Sequence, residues 1–172
     1  MAERLSADFF DRDCLEVAPA LVGKIVVHRT ADGTEHRVRI LETEAYRGEE
    51  DLACHASKGR TKRTELLYGK SGVLYIYLCY GMHWLMNVVT GRDGEPQGVL
   101  LRAGEACVGP ARLTKRIQID GTLHGTALID CAEELWFEDD GLRPQIETAP
   151  RVGVDYAGAY WAGRPWRFIL SE

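Results

Sequence analysis

The stretch Leu74-Tyr75-Ile76-Tyr77-Leu78-Cys79-Tyr80-Gly81-Met82-His83-Trp84-Leu85-Met86-Asn87-Val88-Val89-Thr90 decides how this chain folds. Tyrosines alternate with aliphatic residues up to Cys79, a glycine interrupts, and a second apolar run leaves toward Thr90. Alternation with a period of two belongs to a strand, because successive side chains point to opposite faces. Two such runs about a glycine-bearing turn predict a hairpin with Tyr80-Gly81-Met82 at its tip. Tyr75 and Tyr77 then share one face, and Tyr80 lies where a bulky side chain projects from the end.

Working outward, Lys24 to Arg29 is a β-branched run, Ala31-Asp32-Gly33 has turn chemistry, and Glu35 to Tyr46 forms a second strand, giving an earlier hairpin. Asp13 caps a short helix that runs to about Leu21 and ends at Gly23. Ala53 to Gly72 is basic, polar and glycine-bearing, which predicts a surface loop over most of its length. Downstream, Gly98 to Ala103 reads as a strand, Gly109 to Ile117 as a helix with Pro110 in its first turn, and Leu135 to Glu138 and Trp166 to Leu170 as short strands. Strand exceeds helix and no regular βαβ alternation occurs, so the expected class is α+β. The expectation is a single compact domain over residues 1–172, with a mostly antiparallel curved sheet, flanking helices and a protruding β-hairpin.

A chain of 172 residues, 45% of them hydrophobic, builds a sizeable core without a metal or disulfide staple. Its formal charge of −5 argues against indiscriminate coating of nucleic acid or anionic lipid, but the charge is uneven. Lys58, Arg60, Lys62, Arg63 and Lys70 face only Glu65 between His55 and Lys70, and Arg112, Lys115 and Arg116 form a second basic cluster. Asp130 to Asp140 holds Asp130, Glu133, Glu134, Glu138, Asp139 and Asp140 without a base. Either one face is positive or these runs are merely solvated surfaces. Cys14, Cys54, Cys79, Cys107 and Cys131 are scattered with no CxxC pair, as expected for reduced thiols in a cytoplasmic protein. Met1 to Asp13 lacks the apolar run of a signal peptide, and Val73 to Val89 is too interrupted to span a membrane, so no membrane partner is expected.

The candidate chemistry begins in Arg39-Ile40-Leu41-Glu42-Thr43-Glu44-Ala45-Tyr46, where strand periodicity puts Glu42, Glu44 and Tyr46 on one face. On a solvated face this is an ordinary edge strand. On a concave, partly dry one, desolvation and like charge raise one carboxyl toward the range of a general base. Arg102, at the end of the apolar strand Val99-Leu100-Leu101-Arg102-Ala103, is costly there unless an acid such as Glu44 pairs with it. His55 is either a structural histidine or part of a site. A metal centre needs three or four convergent ligands, and no zinc-deaminase signature accompanies His55, so neither metal nor cofactor is expected. Tyr80 is an exposed apolar wedge of the kind that unstacks a base step, unless the hairpin tyrosines are core residues with their hydroxyls in water.

Glu42-Thr43-Glu44-Ala45-Tyr46, the His55 to Arg63 stretch, Leu74 to Met82, Met86-Asn87, Val99 to Ala103 and Arg151-Val152-Gly153-Val154 together resemble the alkyladenine (3-methyladenine) DNA glycosylase family, in order from about Leu5 to Leu170. The resemblance implies that Glu44 activates a water, with Arg102 holding that water and the backbone. It implies that Tyr46 stacks on one face of a flipped base while His55 and Tyr77 close the other, and that Asn87 screens against the amine of normal guanine. Tyr80, with Met82 beside it, would fill the gap in the duplex, and Lys58, Arg60, Lys62 and Arg63 would meet the DNA backbone. The implied substrate is double-stranded DNA with a damaged purine, and the implied state is a monomer that meets the nucleoid during repair. Thr61-Lys62-Arg63 stands where relatives are expected to carry Thr-Pro-Arg, and the segment after Arg102 is short, both of which bear on affinity for DNA. Two other readings stay open: a non-catalytic nucleic-acid module with a tyrosine stacking platform, and a metal-dependent hydrolase using Glu42, Glu44 and His55.

Overall fold

The structure, a computed structural model, describes residues 1–171. In chain order the strands are β1 (Glu3–Arg4), β2 (Ile25–Arg29), β3 (Glu35–Arg47), β4 (Leu74–Cys79), β5 (His83–Val89), β6 (Gln97–Gly104), β7 (Cys107–Val108), β8 (Leu135–Asp139), β9 (Gln145–Ala149) and β10 (Arg167–Ser171). The α-helices are α1 (Cys14–Leu21), α2 (Pro110–Arg116) and α3 (Ala159–Ala162). All strand pairings are antiparallel, in the order β1-β8-β2-β3-β6-β5-β4, with β10 joining β3 to β9 and β7 pairing β6. The α+β class, the two hairpins and both longer helices stand as the sequence predicts. None of the described helices is long and apolar enough to cross a membrane.

Long β3 is the spine of the sheet. Its first half pairs with β2, and its second half lies between β6 and β10. The β3–β6 register shifts on either side of Glu42, and irregularities of this kind bend a strand and increase its twist. Beyond the bend the two faces of β3 separate by function. Thr43 is buried beneath α1, its hydroxyl donating to the Ala18 carbonyl at 2.7 Å, and Ala45 is buried with it. Glu44 and Tyr46 point the other way.

α1 forms because Asp13 accepts from the Leu15 N–H at 2.9 Å and so satisfies one free donor of the first turn. Cys14, Val17, Ala18 and Leu21 recur at helical spacing and enter the main core with Ile40, Met86, Leu101, Leu113 and Phe137. The stretch 53–72 is more ordered than its composition suggests. Two 3-10 turns, His55–Lys58 and Glu65–Tyr68, carry Cys54, Ala56, Leu67 and Tyr68 into a second apolar cluster with Tyr75 and Val89. Only its cations and their neighbours meet solvent. Short apolar teeth among many polar residues gave no periodicity to read.

The β4–β5 hairpin closes through a turn in which the Met82 N–H donates to the Cys79 carbonyl at 3.1 Å. Tyr80 and Gly81 both take positive φ, 52° and 67°, as a type I′ turn requires. Glycine does so freely, whereas a tyrosine there is strained. The turn places Tyr80 90% exposed and Met82 68% exposed at the tip.

Charge is sorted along the sheet. Four of the acids near β8 are held by Lys24 just before β2, by bases of β2 and β3 and by Arg143: Glu133 by Arg29, Glu138 by Arg37, Asp139 by Lys24 and Arg143, and Asp140 by Arg39. Most cations at that end are thus spent on neighbouring carboxylates, while β4 stands at the opposite end of the strand order.

Candidate active site

The second half of β3, the concave face of the β4–β5 hairpin, the turn at His55 and the segment after β9 enclose a cavity of about 580 Å³. Glu44, Tyr46, His55, Tyr77, Asn87 and Arg102 all line it. These residues are spread over 59 positions of sequence; those on strands share the cavity because β3, β6, β5 and β4 are neighbours in the sheet, and His55 joins them from its 3-10 turn.

Glu44 has 0% exposure, yet its carboxylate forms part of the cavity wall. Oε1 accepts from the Tyr46 hydroxyl at 3.1 Å, and Oε2 accepts from the Val152 backbone N–H at 2.7 Å. Arg102 brings Nη1 to 3.9 Å from Oε1 and Nε to 3.9 Å from Glu42 Oε2, close enough for attraction but not for a hydrogen bond. Arg167 takes up Glu42 directly at 3.2 Å. Burial pushes the Glu44 carboxyl above its ordinary value; the Val152 N–H, the Arg102 charge, the Tyr46 hydroxyl and the Arg151 charge pull it back only in part. The result is a dry carboxylate with enhanced basicity.

Across the cavity, His55 and Tyr77 meet edge to face with ring centroids 4.7 Å apart, and His55 Nδ1 lies 3.1 Å from the Tyr75 hydroxyl. Burial and then the charges of Arg63 and Lys58 bring the His55 pKa down to about 4, so the ring is neutral near pH 7 and offers one donor and one acceptor. Asn87 is buried, and its Nδ2 donates to the Tyr75 carbonyl at 3.2 Å. An aromatic slot with polar edges, facing a basic carboxylate, suits a flat heterocycle whose bond is to be attacked by water.

Part of the machinery escaped residue-level reading. Asp51 and Arg151 form an ion pair with neither side chain exposed, at 2.6 and 2.9 Å. Asp51 also accepts from the Arg47 and Ala53 N–H groups, and Arg151 donates to the Ala45 carbonyl, which leaves only the buried Nε of Arg151 without a partner in the pair. The Arg151 guanidinium stacks between Tyr46 and Trp166, 4.8 and 5.0 Å from the ring centres. It thereby backs the Tyr46 wall and anchors the segment from which Val152 reaches Glu44. Tyr156, another lining residue, donates to the Ala53 carbonyl at 3.2 Å and ties that segment to the His55 turn. The Arg151-Val152-Gly153-Val154 motif was the available signal; its contacts, about a hundred residues away in sequence, were not.

At the rim, Lys58, Lys62 and Arg63 are exposed and form no ion pair among the described residues, and Arg63 lies 5.6 Å above Tyr77. Arg60 differs: it makes a bidentate pair with Glu65 at 2.7 and 2.9 Å and lies over Tyr68, so its charge is already engaged.

The sequence model of the methylpurine-DNA glycosylase family matches residues 8–107 and 105–172. A relative from Anaeromyxobacter sp. (strain Fw109-5), named "Putative 3-methyladenine DNA glycosylase", is 46% identical over 176 residues, covering 98% of this chain and 89% of the relative. Relatives of the same name from Methanocella arvoryzae and Legionella pneumophila (strain Corby) are 43% identical over 185 residues and 40% identical over 177 residues. These matches cover 95% and 98% of this chain, and 90% and 95% of the respective relatives. With matches that span nearly its whole length, the chain belongs to the methylpurine-DNA glycosylase family.

Proposed function

We propose that this protein is a monofunctional DNA glycosylase that turns an alkylated purine out of duplex DNA and hydrolyses its N-glycosidic bond, the first step of base excision repair. The observation that carries the proposal is the solvent-excluded Glu44 carboxylate facing an aromatic slot of Tyr46, His55 and Tyr77.

A base in the stack is out of reach, and extruding it costs a few kcal/mol, least for a damaged base. Tyr80 and Met82, exposed at the hairpin tip, are suited to occupy the space left behind. In the slot, stacking offsets the cost by about 1–3 kcal/mol per base. Glu44 then takes a proton from a water as that water attacks C1′ and the bond to the purine breaks. Its charge also steadies the developing oxocarbenium character of the sugar. Arg102 and the Val152 N–H hold the carboxylate oriented.

In the nucleotide, 3-methyladenine and 7-methylguanine carry positive charge and leave readily as neutral bases. Hypoxanthine and ethenoadenine are uncharged there and need a proton to leave as neutral bases, and Glu44, already engaged with the water, is the only carboxyl lining the cavity among the described residues. No lysine lines it either, which favours hydrolysis over strand cleavage through a Schiff base.

The test is incubation of the purified protein with a methylated duplex in the presence of a chelator. Free 3-methyladenine and 7-methylguanine should appear while the strand stays intact until alkali is added. Binding without base release would leave a binding module, and loss of release on chelation would point to metal-dependent hydrolysis.

A further inference from the structure

The cations of α2 take no part in the base pocket. Arg112, Lys115 and Arg116 stand at i, i+3 and i+4, so they share one helical face; all three are exposed, and none forms an ion pair among the described residues. The opposite face, with Leu113 and Thr114 and continued by Ile117, is buried. Thr114 donates to the Trp84 carbonyl at 2.7 Å, which fixes α2 against β5 just below the tip of the hairpin.

Strand alternation tells which face of the hairpin α2 covers. Tyr75, Tyr77, Leu85 and Asn87 line the cavity, while Leu74, Ile76 and Met86 belong to the main core and Trp84 packs against it. α2 therefore backs the face opposite the cavity. The hairpin stands between two cationic groups, Lys58, Lys62 and Arg63 on the cavity side and Arg112, Lys115 and Arg116 on the other, with Tyr80 and Met82 beyond the tip. At the β8 end, Lys24, Arg29, Arg37, Arg39 and Arg143 are each neutralised by a carboxylate, and Arg4, without an ion pair among the described residues, lies over the Trp136 ring instead. A chain of net charge −5 thus keeps free cations on both flanks of its apolar wedge.

We infer that the Arg112, Lys115 and Arg116 face of α2 is the second half of a phosphate clamp: a duplex pierced by Tyr80 continues over α2 on one side of the wedge and over the 58–63 loop on the other. The inference rests on the DNA-directed reading above. A wedge that unstacks a step also bends the duplex, bringing more of its backbone against the protein. The three cations span about 6 Å of helix axis and their long side chains extend their reach, enough to track one strand's backbone.

The test is the salt dependence of binding to an undamaged duplex, compared among the wild type, the Arg112→Gln/Lys115→Gln/Arg116→Gln variant, Lys115→Gln alone and an Arg143→Gln control at the far end. Each lost phosphate contact lowers the slope of log affinity against log salt by about 0.9. The triple variant should lose about 2.7, which amounts to a ~40-fold smaller fall in affinity between 50 and 200 mM salt, and Lys115→Gln about a third of the slope change. Arg143→Gln should match the wild type. Thermal melting of each variant confirms that the fold persists. A triple variant with the wild-type slope overturns the clamp. Base release by the wild type is measured separately: if it fails while the α2 slopes shift as expected, the enzymatic reading falls and the clamp stands.

Discussion

Replacing Glu44 by Gln should disable the protein and make it more stable at the same time. The carboxylate has no exposure to water, and four groups compensate it: the Val152 N–H at 2.7 Å, the Tyr46 hydroxyl at 3.1 Å, the Arg102 guanidinium at 3.9 Å and the more distant charge of Arg151. Stripping water from a carboxylate costs several kcal/mol, and the charge-assisted bond from Val152 returns only about 1.5–3 kcal/mol. Burial remains the stronger influence, so the folded pKa lies above the ordinary value of 4.5. The folded state therefore holds this proton more tightly than the unfolded chain does. The stability so gained is fully present below pH 4.5 and is lost as pH rises through the folded value. Glutamine keeps the shape and an acceptor for Val152 without the charge. The variant should match the wild type in acid and exceed it at pH 7 by about 1 kcal/mol, the scale of relieving a strained functional site. For a chain of this length that is a rise of about 2–4 °C in Tm. Single-turnover base release should fall by about two to four orders of magnitude, the share of a general base. Melting curves from pH 4 to 8 and excision from a methylated duplex are the two assays. A variant that excises at the wild-type rate, or that is less stable than the wild type at every pH, refutes the argument.

Tyr80→Ser should weaken extrusion without unfolding the protein, because the ring touches mostly solvent; an unchanged 2-aminopurine fluorescence response to binding would speak against the wedge. Asp51→Asn leaves the Arg151 guanidinium buried without its counter-charge, which should cost about 3–5 kcal/mol; a denaturant midpoint near that of the wild type would show the pair to be dispensable. His55 has a folded pKa of about 4 against an ordinary 6.5, so the unfolded chain binds its proton first and stability falls as pH drops from 6.5 toward 4. His55→Phe should flatten that decline, and an unaltered decline would mean that another group causes it.

What the sequence makes legible is local or strictly periodic. Tyr75, Tyr77 and the glycine turn specify the hairpin within a few residues of themselves, and Glu42, Glu44 and Tyr46 share a face because alternation requires it. The resemblance then names the residues that line the cavity. What stays hidden depends on distant partners. β9 is mostly polar and half exposed, so it shows no apolar rhythm and exists because β10 offers it a ladder. Asp51 looks like one more loop acid until Arg151 arrives from a hundred positions away. The 53–72 stretch buries its few apolar residues in short scattered groups, Ala53-Cys54, Ala56 and Leu67-Tyr68, and its abundant cations mask them.

The donor that grips Glu44 from the segment after β9 is a main-chain nitrogen, and the Val152 side chain has no part in the bond. Any substitution at this position leaves the hydrogen in place except proline, which has none. Genetic drift at position 152 is therefore nearly silent for the Glu44 carboxylate, whereas a small change in the path of the backbone is not. Custody of that path falls to Arg151 in its slot between two aromatic rings, and a comparison of side chains alone understates what the neighbouring position contributes.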